Sequence, residues 1–111
     1  MKVWAIPEVI EDLESLIDIL YEKGYFSFEE TSVNYVVGLF QDILENLPSK
    51  LKRPAPTYFS KRYGKGLYYA VFPKSKRTQW YVFFKIYQKD GELIYQVRHI
   101  TNNHVAAQYL D

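Results

Sequence analysis

At 111 residues, with 48% hydrophobic and 24% charged residues, the chain has the length and composition of one ordinary globular domain. It holds no cysteine, which excludes disulfides and cysteine-ligated zinc and suits a reducing compartment. The net charge of +1 conceals an asymmetry: residues 1–48 carry ten acids and two bases, net −8, while residues 49–111 carry twelve bases and three acids, net +9. Such a division predicts a two-faced molecule with one side suited to an anion, because bases and aromatics interleave there. Two solvated faces of unequal charge are the plainer alternative.

Lys2 to Ala5 reads as a short strand, followed by Pro7 at a position where a first helical turn accepts proline. Val9, Ile10, Leu13, Leu16, Ile17, Leu20 and Tyr21 recur at three- and four-residue steps, which predicts an amphipathic helix over about Glu8–Lys23, stopped by Gly24. Ser27 with Glu30 reads as a capping box. Behind it Val33, Val36, Val37, Phe40, Ile43, Leu44 and Leu47 predict a second helix over about Phe28–Leu47, the other arm of an antiparallel hairpin. Pro54 and Pro56 then favour an extended edge segment. Gly66–Phe72, Gln79–Gln88 and Leu93–Thr101 read as three strands, the last two joined by an Asp90-Gly91 turn. Alternation puts Trp80, Val82 and Phe84 in a core with Leu13, Ile17, Phe40 and Leu44, and turns Tyr81, Phe83, Lys85 and Tyr87 the other way. In the last strand it sends Val97 and His99 inward and Arg98 outward. The expected fold is α+β, an N-terminal strand and a helical hairpin on one face of a mainly antiparallel twisted sheet.

The apolar start is broken by Pro7, Glu8, Glu11 and Asp12, too early for a secretory core, and the longest apolar runs are strand-sized. A cytoplasmic protein with no membrane partner is expected. No metal-ligand spacing or phosphate loop is present, and nothing implies a cofactor.

Taken in order, the strand, the acidic hairpin, the basic connector and the antiparallel meander resemble the RelE/ParE toxin superfamily. PEVIEDLESLIDILY, from Pro7 to Tyr21, resembles its first helix, and DILENLP, from Asp42 to Pro48, the close of its second. Gly66–Phe72, WYVFF from Trp80 to Phe84, and LIYQVRHITNNH from Leu93 to His104 resemble its last three strands. The resemblance implies the toxin of a type II toxin–antitoxin system with a cognate antitoxin as partner. Two activities come with it. One is ribosome-associated, metal-independent cleavage of mRNA. The other is non-enzymatic poisoning of a protein target such as DNA gyrase, and an inactive family member is a third reading. Ribonuclease members often carry an arginine on the strand after the connector, where this chain has Tyr68 and Tyr69.

Metal-free RNA cleavage needs a base for the 2′-hydroxyl proton, cations for the phosphorane and an acid for the leaving 5′-oxygen. Arg98, on the outward face, is the expected phosphate clamp. His104, after Asn102-Asn103, is either the proton-transfer group or an ordinary loop histidine. His99 reads as a satisfied core histidine. Tyr109 lies where the resemblance implies a functional aromatic near the C-terminus. The same resemblance implies that Lys52, Arg53, Lys61, Arg62 and Lys65 border an RNA groove with Lys85. Tyr81, Phe83 and Tyr87 are placed either to stack bases or to dock another chain.

Overall fold

Lys2–Ala5 forms the first strand, β1, and the chain then bends at Ile6 into a helix, α1 (Pro7–Glu22), that begins on Pro7. The computed structural model describes residues 1–24, 26–106 and 109. Proline suits the first helical position because its missing N–H would have had no intrahelical acceptor. The helix closes at Lys23, and Gly24 follows with φ +75°, a left-handed conformation that a Cβ would strain. The second arm, α2 (Glu29–Asn46), packs against α1. Its N-cap is Phe28, with no side-chain cap, so the Ser27–Glu30 capping box does not form. Glu29 and Glu30 instead place negative charge at the positive end of the helix dipole.

The buried stripe of α2 is Ser32, Val36, Leu39 and Ile43, continued by Leu47. Leu39, absent from the periodic series, is wholly enclosed, whereas Val37 and Leu44 are exposed. Each residue advances about 100° around a helix, so a small rotation toward Leu39 carries Leu44 out of the expected core. Ile17 and Phe40 remain half-buried against it.

A five-stranded sheet in the order β1-β5-β4-β3-β2 supports this hairpin, with β2 at Arg53–Pro54, β3 at Tyr68–Pro73, β4 at Gln79–Lys89 and β5 at Glu92–Asn102. β1 runs parallel to β5 and every other pairing is antiparallel. Asp90 at φ 52° and Gly91 at φ 77° give the β4–β5 turn the left-handed pair that a tight hairpin requires. On the helix-side face Val9, Leu13, Val36, Leu39, Ile43 and Leu47 pack on Ala70, Phe72, Trp80, Val82, Phe84, Tyr95 and Val97. The indole N–H of Trp80 donates to the Tyr35 hydroxyl at 2.9 Å, which satisfies its one polar atom. Among the described residues no helix is long and apolar enough to cross a membrane.

Two departures from strand-by-strand reading determine the opposite face. The connector is not wholly extended: after β2 it forms a helix, α3 (Thr57–Tyr63), begun by Pro56 and ended by Gly64. Phe59 of α3 packs on Leu67, Tyr69, Phe83 and Ala106 as a second, smaller core. Phe83, expected on an open docking face, is therefore completely buried. The second departure is a bulge in the β4–β5 ladder. Phe84 pairs with Val97 but Phe83 pairs with His99, leaving Arg98 as an extra residue. Beyond it the alternation of β5 flips: Ile100 packs on the helix-side core, while His99 and Thr101 lie opposite Phe83 and Tyr81 on the other face. His99 thus points away from the helix-side core, contrary to simple alternation with Val97.

Candidate functional site on the face of the sheet under α3

The bulge brings Arg98 and His99 to the same face, beneath the end of α3. Arg98 is held by three hydrogen bonds: Nε donates to Gln96 Oε1 at 2.9 Å, Nη1 to the Tyr63 carbonyl at 3.0 Å, and Nη2 to the Tyr87 hydroxyl. A guanidinium has five N–H donors, so among the described residues these three contacts leave two for a ligand. Gly64 makes the arrangement possible. Its φ of +128° is open to glycine, and a Cβ there would lie 2.7 Å from Arg98 Nη1 and 3.4 Å from Lys85 Cδ. Lys85 reaches across the same patch, its Nζ 5.5 Å from the Tyr87 ring centroid.

His99 stacks on Tyr63, with ring centroids 4.2 Å apart and planes 9° from parallel. Phe83 and Phe59 flank it at 5.8 and 6.3 Å. Burial among these rings lowers its pKa below the ordinary histidine value, against an opposing pull from the Asp12 carboxylate. The imidazole is therefore neutral near pH 7 and able to accept a proton. The Tyr63 hydroxyl moves the other way: burial, then Tyr58, raise its pKa above that of free tyrosine, with Arg62 opposing.

The other expected site residues divide between locations. Arg62 lies over the Tyr58 ring on the exposed side of α3, and Tyr109 stacks on that ring too. Lys61 and Lys65 are exposed on and just after α3. Lys85 joins Arg98. Arg53 sits on β2 opposite Tyr69 and lines a shallow depression with Lys50, Leu51, Val71 and Gln79. Lys52 lies 5.4 Å from the ring of Tyr68, which packs on the helix-side core. The expected trio of Tyr81, Phe83 and Tyr87 forms no common surface. Tyr81 is half-buried edge-on to Tyr69, Phe83 is enclosed, and Tyr87 is exposed beside Arg98.

His104 stands apart. From Arg98 the strand runs on to Asn102, roughly 13 Å at about 3.3 Å per residue, before a single turn, α4 (Asn103–Ala106), carries His104 to the β3–β4 turn. There its Nε2 lies 3.2 Å from Thr78 Oγ1, on the rim of a cavity of about 500 Å³ floored by Trp80 and Tyr35. Its imidazole belongs to that end of the sheet and not to the Arg98 cluster.

Sequence patterning alone does not single out Tyr58, Tyr63, Gly64 or Gln96. The signal that the sequence does carry is the bracket of Pro56 and Gly64 around seven residues, the asymmetry that marks a short helix. Among the described residues no three His, Cys, Asp or Glu side chains gather as metal ligands would. A scan against protein-family models returns no match, and neither do searches of curated proteins and of solved structures.

Proposed function

We propose that this protein is the toxin of a type II toxin–antitoxin system, a cytoplasmic, metal-independent endonuclease that cuts mRNA on the ribosome. The observation that carries the reading is the β5 bulge, which sets a cation with free donors beside a neutral imidazole on one face. Arg98 is oriented by Gln96, Tyr63 and Tyr87 before any ligand arrives, so it spends no reorganisation on meeting a phosphate. In the proposed step His99 accepts the proton of the 2′-hydroxyl as that oxygen attacks phosphorus. The P–O5′ bond breaks, giving a 2′,3′-cyclic phosphate and a 5′-hydroxyl. Arg98 and Lys85 face the charge that grows on the phosphoryl oxygens. The Tyr87 hydroxyl oxygen accepts from Arg98, which leaves its own proton free to pass to the departing 5′-oxygen.

The cognate antitoxin of this reading is an acidic or amphipathic segment that would neutralise the basic half while covering the Arg98 face. The second reading, a toxin that docks on a protein such as DNA gyrase, draws on Tyr69. It is buried in the α3-side core on the strand where ribonuclease members of the superfamily that the sequence resembles often carry an arginine. Translation of a defined message by purified ribosomes, read by primer extension, separates the two. Cleavage at discrete sites that is lost in Arg98→Ala supports the endonuclease. Intact transcripts with accumulating DNA damage would transfer the assignment to the gyrase-type toxin.

A further inference from the structure

The connector helix carries a feature that the phosphate chemistry does not use. The Arg62 guanidinium carbon lies 3.6 Å from the centroid of the Tyr58 ring. The Tyr109 ring lies 3.7 Å from the same centroid and within 9° of parallel. Two groups that close cannot share one face, so Tyr58 is sandwiched between them. On one side the assembly is built into the domain: Arg62 Nη1 donates to the Tyr58 carbonyl at 2.7 Å, and Phe59, wholly buried, braces the ring edge-on at 5.0 Å. On the other side Tyr109 is 36% exposed. A flat π system stacked in this way takes the position of a nucleobase on an aromatic platform.

We propose that Tyr58, backed by Arg62, is a stacking platform for a base of single-stranded RNA, and that Tyr109 occupies it as an internal surrogate which the base displaces. This rests on the reading of the α3 face as an RNA groove. Tyr58 and Tyr63 are five residues apart on α3, about 7.5 Å of helical rise, and the Tyr63 carbonyl is bonded to Arg98. A base on Tyr58 therefore belongs to a nucleotide close to the one whose phosphate meets Arg98. Stacking of one base on an aromatic side chain is worth about 5- to 150-fold in affinity, whereas an aromatic pair within a protein is worth about 2- to 13-fold. The base displaces Tyr109 where its stacking exceeds that of the internal pair, and the pair lowers the net gain.

The test is fluorescence anisotropy of the full chain with a labelled oligoadenylate and with an abasic oligomer of equal length. Tyr58→Leu keeps apolar bulk against Phe59 but removes the flat face. It should weaken oligoadenylate by about 5- to 150-fold in the Tyr109→Ala background, and by less in the wild-type background, where displacing Tyr109 offsets part of the gain. The abasic oligomer should be unchanged in both, while Tyr58→Trp retains binding. Tyr109→Ala should tighten oligoadenylate about 2- to 13-fold, again without effect on the abasic oligomer. Should Tyr58→Leu fail to fold, Tyr58→Trp and Tyr109→Ala carry the test. Equal loss of both oligomers in Tyr58→Leu, or no loss of either, overturns the platform and leaves RNA binding standing. Weaker oligoadenylate binding by Tyr109→Ala overturns the surrogate. A wild-type protein that binds neither oligomer overturns the RNA reading itself.

Discussion

Gly64→Ala is the sharpest test of how the Arg98 site is held. Gly64 has φ +128° and ψ 148°, a region essentially reserved for glycine. A β-carbon there meets Arg98 Nη1 at 2.7 Å, closer than side-chain carbons come to other groups. Backbone strain of this kind costs about 1–3 kcal/mol. Moving the guanidinium breaks its bond to the Tyr63 carbonyl, and a hydrogen bond to a charged group contributes about 1.5–3 kcal/mol. Arg98 is only half-buried, so water offsets part of the second loss, and a combined destabilisation of about 2–4 kcal/mol is expected. Urea unfolding of the wild type, Gly64→Ala, Arg98→Ala and the double variant measures it directly. The backbone strain should persist without Arg98, but the collision should vanish, so Gly64→Ala should cost about 1 kcal/mol or more less in the Arg98→Ala background. Strict additivity would show that the two residues do not press on each other, and the account of the site's geometry would be wrong.

On the proposed endonuclease reading, Arg98→Ala should remove about 3–4 kcal/mol of transition-state stabilisation, cutting message cleavage about 150- to 900-fold while circular dichroism stays unchanged. On the same reading, His104→Ala should change cleavage by less than about twofold in the primer-extension assay, because the imidazole sits at the Thr78 end of the sheet. Phe83→Ala should destabilise by about 3–5 kcal/mol in chemical denaturation, the cost of emptying a fully enclosed phenyl site under α3. His99 sets a pH dependence with a definite sign: its folded pKa is depressed by burial, so the unfolded chain binds the proton more readily. The stability it contributes is complete above about pH 6.5 and declines as pH falls from there through the folded pKa. Wild type should accordingly lose more stability than His99→Gln between about pH 7 and pH 5, and parallel curves would exclude a depressed pKa at His99.

Much of the architecture was legible because it rests on local rules. Pro7 and Gly24 mark the ends of α1, the three- and four-residue spacing from Val9 to Leu20 marks its buried stripe, and Asp90-Gly91 marks the tightest turn. Each is a steric or hydrogen-bonding preference of a few adjacent residues, and alternation in Trp80–Phe84 placed the helix-side core on β4 correctly. The separation of charge was legible as well, since acids concentrate on the two long helices and bases on the connector and later strands. What the tertiary structure decided is which residues meet. The β4–β5 bulge depends on how two strands pair, and alternation along β5 alone counts as if no residue were inserted. It therefore sends His99 to the wrong face and misses its partnership with Arg98. The rotation of α2 that buries Leu39 and frees Leu44 is settled by packing against α1 and the sheet, because the sequence stripe is broad enough to permit either. The α3 helix is seven residues long, too short to be stable by propensity, and forms because Phe59 finds Phe83 beneath it. A site assembled from an inserted strand residue, a glycine gap and a helix made by its contacts exists only once the distant segments are in place.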